Sequence, residues 1–120
     1  MKVIVADDSR VMRQIVIRTL RQSGYKDWDV VEAEDGADAL AKVQAENPDL
    51  VLSDWNMPNM TGIQFLRALR AAGNNVPFAF VTSEGSEDMR GQAASAGALG
   101  LIAKPFTPET FSDVLDTANV

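Results

Sequence analysis

Short apolar runs and longer amphipathic stretches alternate from one end of this chain to the other. The runs are KVIVA (2 to 6), DVVEA (29 to 33), DLVLS (49 to 53), PFAFVT (77 to 82) and LGLIA (99 to 103). Val, Ile, Leu and Phe are prominent in them. A parallel strand covered by helices on both faces reads this way, as a near-continuous apolar run.

Between the runs the apolar period lengthens to that of a helix. In the first, Ser9 is placed as N-cap, and Met12, Ile15, Val16, Thr19 and Leu20 form a stripe that ends near Gly24. Arg10, Arg13, Arg18 and Arg21 are interspersed and read as a solvated face. The second helix runs from about Gly36 to Glu46 and stops at Asn47-Pro48, because proline has no N–H to continue the ladder. Asp35-Gly36 resembles a hairpin turn, but the ADALAKVQAEN that follows is helical in composition.

A third helix is predicted from about Thr61 to Ala72. The fourth, from about Glu87 to Ala96 behind a Ser86 cap, is weak, since a helical glycine such as Gly91 costs about 1 kcal/mol relative to alanine. The last opens at Thr107 with Pro108 in the tolerated first position and continues nearly to Val120. Five strands alternating with five helices predict an α/β fold, an open parallel sheet wound on both faces. With no linker, repeat or low-complexity segment, the expectation is one domain over residues 1 to 120.

Composition narrows the chemistry. The net charge of -6 argues against broad binding to nucleic acid, which needs many cations facing phosphates. The start MKVIVADDSR holds at most a four-residue apolar run before its aspartates, too short for a signal peptide or a membrane span. Cysteine is absent, which fits the reducing cytoplasm and excludes a thiolate metal site. Histidine is absent too, so the chain is neither a phosphohistidine donor nor a histidine-based hydrolase. Carboxylates, hydroxyls and lysine remain.

In an open parallel sheet, groups at the carboxyl ends of the strands share one crevice. Here that edge receives Asp7 and Asp8 after the first strand, Asp54 after the third, Thr82 and Ser83 at the end of the fourth, and Lys104-Pro105 after the fifth. Each alone is an ordinary cap or turn residue. Together they would place three carboxylates side by side, with repulsion of about 4 kcal/mol per close pair at an intermediate dielectric. Such a cluster calls for a cation. Oxygen ligands without Cys or His favour Mg2+, an ion that retains waters and pairs one or two carboxylates with a phosphoryl oxygen. If Asp7 and Asp8 hold the metal, Asp54 is free as the nucleophile, with Lys104 and Thr82 available to phosphoryl oxygens.

The segments ADDSRVMRQIV, EAEDGADAL, SDWNMPNMTG, VTSEG and AGALGLIAKPFTPE together resemble a bacterial two-component response-regulator receiver domain of the CheY-like chemotaxis type, over nearly the whole chain. The resemblance implies a flavodoxin-like sheet of order 2-1-3-4-5. It implies phosphorylation of Asp54 by a sensor histidine kinase, with Mg2+ bound by Asp7, Asp8, Asp54 and the backbone carbonyl of Asn56. Thr82 and Lys104 become the switch pair, Asn56 and Glu84 the rate-tuning positions, and the Lys104-Pro105 bond is expected to be cis. Phosphorylation would bias the face of the fourth helix, fifth strand and fifth helix toward an output protein, and self-hydrolysis would reset it.

Two features depart from the family pattern. Leu101 stands where many members carry a rotating switch aromatic. From Pro105 to Val120 the chain has Glu109, Asp113 and Asp116 and no basic residue, whereas motor-binding regulators usually carry lysine there. The flagellar-motor switch is therefore a less secure output partner. The chain reads as a stand-alone receiver without an output domain; a receiver excised from a longer regulator, with a DNA-binding or enzymatic output, would look much the same. A haloacid-dehalogenase-like phosphatase is disfavoured because its second aspartate, two residues past the nucleophile, is here Asn56. Trp55 beside the nucleophile is expected to report on the site, and Trp28 to lie away from it.

Overall fold

The computed structural model describes residues 1–116. Its elements follow in strict alternation: β1 (Lys2–Ala6), α1 (Arg10–Gln22), β2 (Asp29–Ala33), α2 (Gly36–Glu46), β3 (Leu50–Ser53), α3 (Gly62–Ala71), β4 (Phe78–Thr82), α4 (Glu87–Ser95), β5 (Gly100–Ala103) and α5 (Pro108–Leu115). The strands form one parallel sheet in the order β2-β1-β3-β4-β5. This is the flavodoxin-like order that the resemblance implies. The expected continuation of the last helix toward Val120 falls outside the described residues. Among those described, no helix is long and apolar enough to cross a membrane.

Alternate residues of each strand feed two separate cores. Ile4, Val51, Phe78, Phe80 and Leu101 pack with α2, α3 and α4, while Val3, Val5, Leu50, Leu52, Val81 and Ile102 pack with α1 and α5. Every residue of β3 and β4 is buried, as a central strand covered on both faces requires. Strand β2 is the exception, with Asp29 exposed and Val30 to Glu32 half-buried. It sits at the edge of the sheet, paired only to β1, so its apolar composition overstates its burial.

Side-chain caps fix the helix starts. Ser9, Ser86 and Thr107 accept backbone N–H bonds as expected, and Asp35 does the same for α2. Thr61 and Gln64 form a reciprocal capping box on α3, satisfying two otherwise orphaned donors. Register then aligns the carboxyl ends of the inner strands: Ala6 pairs with both Ala33 and Ser53, and Thr82 pairs with Ala103. Asp7 and Asp54 each follow one residue beyond a paired end.

Candidate functional site

The register delivers the predicted cluster. Asp7, Asp8 and Asp54 each bring a carboxylate oxygen within 4.8 Å of the others. The Lys104 ammonium lies 3.4 Å from Asp7 Oδ2 and 3.9 Å from Asp54 Oδ2. Asp7, buried, and Asp54, half-buried, each have one oxygen tied to backbone: Asp7 Oδ1 accepts the Ser9 N–H at 2.9 Å, and Asp54 Oδ1 accepts the Trp55 N–H at 2.7 Å. Both Oδ2 atoms face the lysine. Asp8 is exposed, leaving the cluster open to solvent on one side.

The electrostatics are those of an under-compensated site. Burial raises the Asp7 pKa above the ordinary carboxylate value, with the Asp54 charge adding to it and the Ser9 N–H and Lys104 opposing it. Burial likewise raises that of Asp54, helped by the Asp8 charge and opposed by Lys104, the Trp55 N–H and the Thr82 side chain. Desolvation of the charged form outweighs the Lys104 charge beside it. Three carboxylates and one ammonium leave a net charge of about -2 if all are ionised, which suits a hard divalent cation on oxygen donors. Asp7, Asp8 and Asp54 are the residues that would hold it.

The frame around these groups is backbone. The Asp54 N–H bonds the Ala6 carbonyl at 2.8 Å, and the Ser53 hydroxyl donates to the Asp54 carbonyl at 2.8 Å. The Gly62 N–H closes the loop onto the Trp55 carbonyl at 2.8 Å. A side chain at Gly62 would overlap the Asp54 carbonyl oxygen, so the Asp54 peptide and the start of α3 are in direct contact. Across the crevice the Lys104 N–H bonds the Thr82 carbonyl at 2.8 Å, and the Lys104-Pro105 peptide is cis. The Thr82 side chain is wholly buried and its hydroxyl oxygen accepts the Glu84 N–H at 3.4 Å.

The remaining sequence candidates fall around this centre. Asn56, Glu84 and Ser83 are exposed at its rim. Leu101 is buried in the core that also holds Phe78, Phe80, Met89 and Ala93, and its carbonyl accepts a bond from the Arg90 guanidinium at 3.3 Å. Trp55 is nearly buried and packs on Phe80 with ring centroids 4.7 Å apart, while Trp28 lies in the opposite core against Tyr25.

One sequence expectation is corrected. Arg13 does not belong to a solvated face: its guanidinium donates to the Asp7 carbonyl at 2.7 Å and to Glu32 Oε1 at 2.9 Å. Arg10, Arg18 and Arg21 are exposed as expected. The sequence carried a signal for the difference, because Arg13, Val16, Ile17 and Leu20 stand at i, i+3, i+4 and i+7, the spacing of one helix face. Gly62 was also overlooked. Its clue is a glycine immediately after a capping threonine, where any better helix former would serve unless backbone must approach closely.

Comparison with known proteins agrees with this geometry. Residues 3–116 match the response regulator receiver domain model. The chemotaxis protein CheY of Pseudomonas aeruginosa is 39% identical over 118 residues, covering 97% of this chain and 94% of the relative. CheY-3 of Vibrio cholerae is also 39% identical, covering 97% and 89%. Among solved structures, CheY4 of Vibrio cholerae superposes with a TM-score of 0.83 at 39% identity, covering 97% of this chain and 96% of that one. The receiver domain of the putative response regulator NarL from Mycobacterium tuberculosis superposes at 0.86 with 36% identity, covering 98% and 95%.

Proposed function

This chain belongs to the response regulator receiver domain family, and from that premise we propose that it is a switch thrown by phosphorylation of Asp54. The observation that carries the assignment is the placement of Asp54 at the end of a fully buried central strand, with Asp7, Asp8 and Lys104 around it. A sensor histidine kinase supplies the phosphoryl group. One Asp54 carboxylate oxygen attacks phosphorus, the O–P bond forms as the N–P bond of the phosphohistidine breaks, and the imidazole leaves. Oδ2 is the better candidate, because Oδ1 is engaged by the Trp55 N–H.

Asp7, Asp8 and Asp54, with the Asn56 backbone carbonyl, would hold Mg2+, which would neutralise the carboxylates and the incoming phosphoryl oxygens. Lys104 is placed to pair with a further oxygen, exchanging its present ion pairs for one with the phosphoryl group. Thr82 donates its hydroxyl to another, which draws the end of β4 toward the phosphate. Asn56 and Glu84, at the rim, govern access of the water that hydrolyses the acyl phosphate and resets the switch.

Leu101 has no ring to rotate, so the coupling is assigned to the loop between β4 and α4. The Arg90 guanidinium spans that loop, donating to the carbonyls of Gly85 and Leu101 at 3.3 Å each. Movement of Thr82 and Glu84 would shift this bridge and with it the surface formed by α4, β5 and α5, which binds the output protein. The resemblance to chemotaxis relatives favours a chemotaxis output in the cytoplasm, with the acidic α5 making the flagellar-motor switch a less secure partner.

The test is intact-protein mass spectrometry after incubation with acetyl phosphate. Wild type should gain one phosphoryl group in the presence of Mg2+ and lose the gain with a chelator, and Asp54→Asn should gain none. A wild type that remains unmodified, or an Asp54→Asn variant modified equally, would contradict the assignment.

A further inference from the structure

The corner between β2 and α2 supplies no ligand to the acidic cluster, yet it is bonded to both loops that do. On one side Arg13 spans the Asp7 carbonyl and Glu32 Oε1 at 2.7 and 2.9 Å. Glu32 also accepts the Gln14 side-chain amide at 3.1 Å. Lys42 ties the same strand to α2, donating to the Glu32 carbonyl at 2.6 Å and to Asp38 Oδ2 at 2.9 Å. On the other side Asn59, in the loop after Asp54, donates its amide to Asp35 Oδ2 at 2.8 Å, while Asp35 Oδ1 caps α2. Asn59 holds a left-handed backbone at φ +67°, which shapes the tight turn that brings it there. Beside it, a side chain at Gly36 would overlap the Met60 carbonyl oxygen, so the corner and the loop touch backbone to backbone.

We propose that Arg13 and the Asn59–Asp35 pair are positioning residues, through which the β2–α2 corner fixes the spacing of Asp7 and Asp54 for the metal. The inference rests on the reading of the acidic cluster as a metal site. Arg13 is the stronger element, because its side chain is largely buried and its two acceptors belong to different segments, Asp7 just past β1 and Glu32 on β2. A planar guanidinium reaches both at once, whereas a lysine ammonium is a point charge on a single stem. The Asn59 contact is exposed and neutral in its donor, so its effect is smaller.

A purely electrostatic role for Arg13 has the opposite sign from a positioning role. Removing a cation near the cluster lessens repulsion toward Mg2+ and would tighten binding. Loss of position loosens it, and groups that orient metal ligands typically contribute tenfold to a hundredfold in affinity. The experiment is Mg2+ titration by Trp55 fluorescence on a Trp28→Phe background, alongside urea unfolding of each variant. Arg13→Met is expected to weaken Mg2+ binding about tenfold. Arg13→Lys should recover only part of that loss, and Asn59→Ala should weaken binding by a smaller factor.

Folded Arg13→Met that binds Mg2+ as tightly as wild type, or more tightly, overturns the inference, even if its unfolding midpoint has dropped. Should Arg13→Met not fold, unchanged affinity in both Arg13→Lys and Asn59→Ala overturns it equally. A wild type with no saturable response to Mg2+ overturns the metal site itself and this inference with it, which separates the two failures.

Discussion

The β3–α3 and β4–α4 units share one plan of strand, loop and helix, but they are built to different tolerances. In the first, all of β3 is buried, α3 opens with a capping box and buries Gly62, Ile63, Phe65, Leu66 and Leu69. Its loop is closed by the Gly62 N–H and by contact with the Asp54 carbonyl. In the second, β4 is as deeply buried, but residues 83 to 88 are all exposed and α4 buries only Met89 and Ala93. Gly91 faces open space in the middle of that helix. Regions with few buried apolar contacts open at lower free energy than the core. Asp54 is thus mounted on the firm unit, and Thr82 leads into the loose one.

That contrast is sharpest at two glycines. Gly62→Ala drives a methyl group into backbone, which no rotamer change relieves, and should cost about 3 kcal/mol or more, read as a lowered urea midpoint. Gly91→Ala meets nothing within 4 Å and should instead stabilise the protein by up to about 1 kcal/mol, as expected for a helix interior. Equal effects of like sign at the two positions would abolish the distinction.

Between these extremes lies the metal. At a free Mg2+ concentration one hundredfold above its dissociation constant, linkage stabilises the folded state by about 2.7 kcal/mol. The gain should appear in wild type, and Asp7→Asn and Asp54→Asn should each lose most of it.

A smaller effect follows from the raised pKa values of Asp7 and Asp54 in the metal-free protein. A carboxyl whose folded pKa lies above its unfolded value of 3.8 holds its proton longer in the folded state. As pH rises through the window between the two values, ionisation removes stability, and the loss persists above it. Asp54→Asn should therefore be more stable than metal-free wild type at neutral pH, chiefly because the neutral amide escapes the burial penalty on the charged carboxylate. The difference should shrink as pH falls toward 3.8 and both carboxyls protonate. Urea midpoints of the two proteins across that range decide it. A constant difference would show that the stability change does not come from charge.

The alternation of apolar runs and helical periods was enough to find every element, because buried parallel strands and amphipathic helices differ in period and length. The site was legible for the same reason: once the strands are parallel, the residues that follow them must meet. Less could be read where the outcome depends on which neighbour arrives in space. β2 has a core-like composition but takes an edge position, and edge status is a property of strand order. The charge of Arg13 reads as a surface position, whereas its i, i+3, i+4 and i+7 relation to Val16, Ile17 and Leu20 puts it on the buried face. The Asn59 turn is a matter of backbone approach, visible only once α3 is seated against β3, and the Gly62 contact shows in the sequence only as a glycine after a capping threonine.

The most direct measurement is hydrogen exchange read by mass spectrometry on the Mg2+-loaded protein, with and without beryllofluoride as a mimic of the aspartyl phosphate. The two-tolerance design predicts that amides of α3 exchange slowly in both states, while those of the β4–α4 loop and α4 change protection when the mimic binds and remain unchanged in Asp54→Asn. Changes spread evenly over α3 and α4, or their persistence in Asp54→Asn, would contradict a switch in which a firmly mounted Asp54 drives a yielding α4.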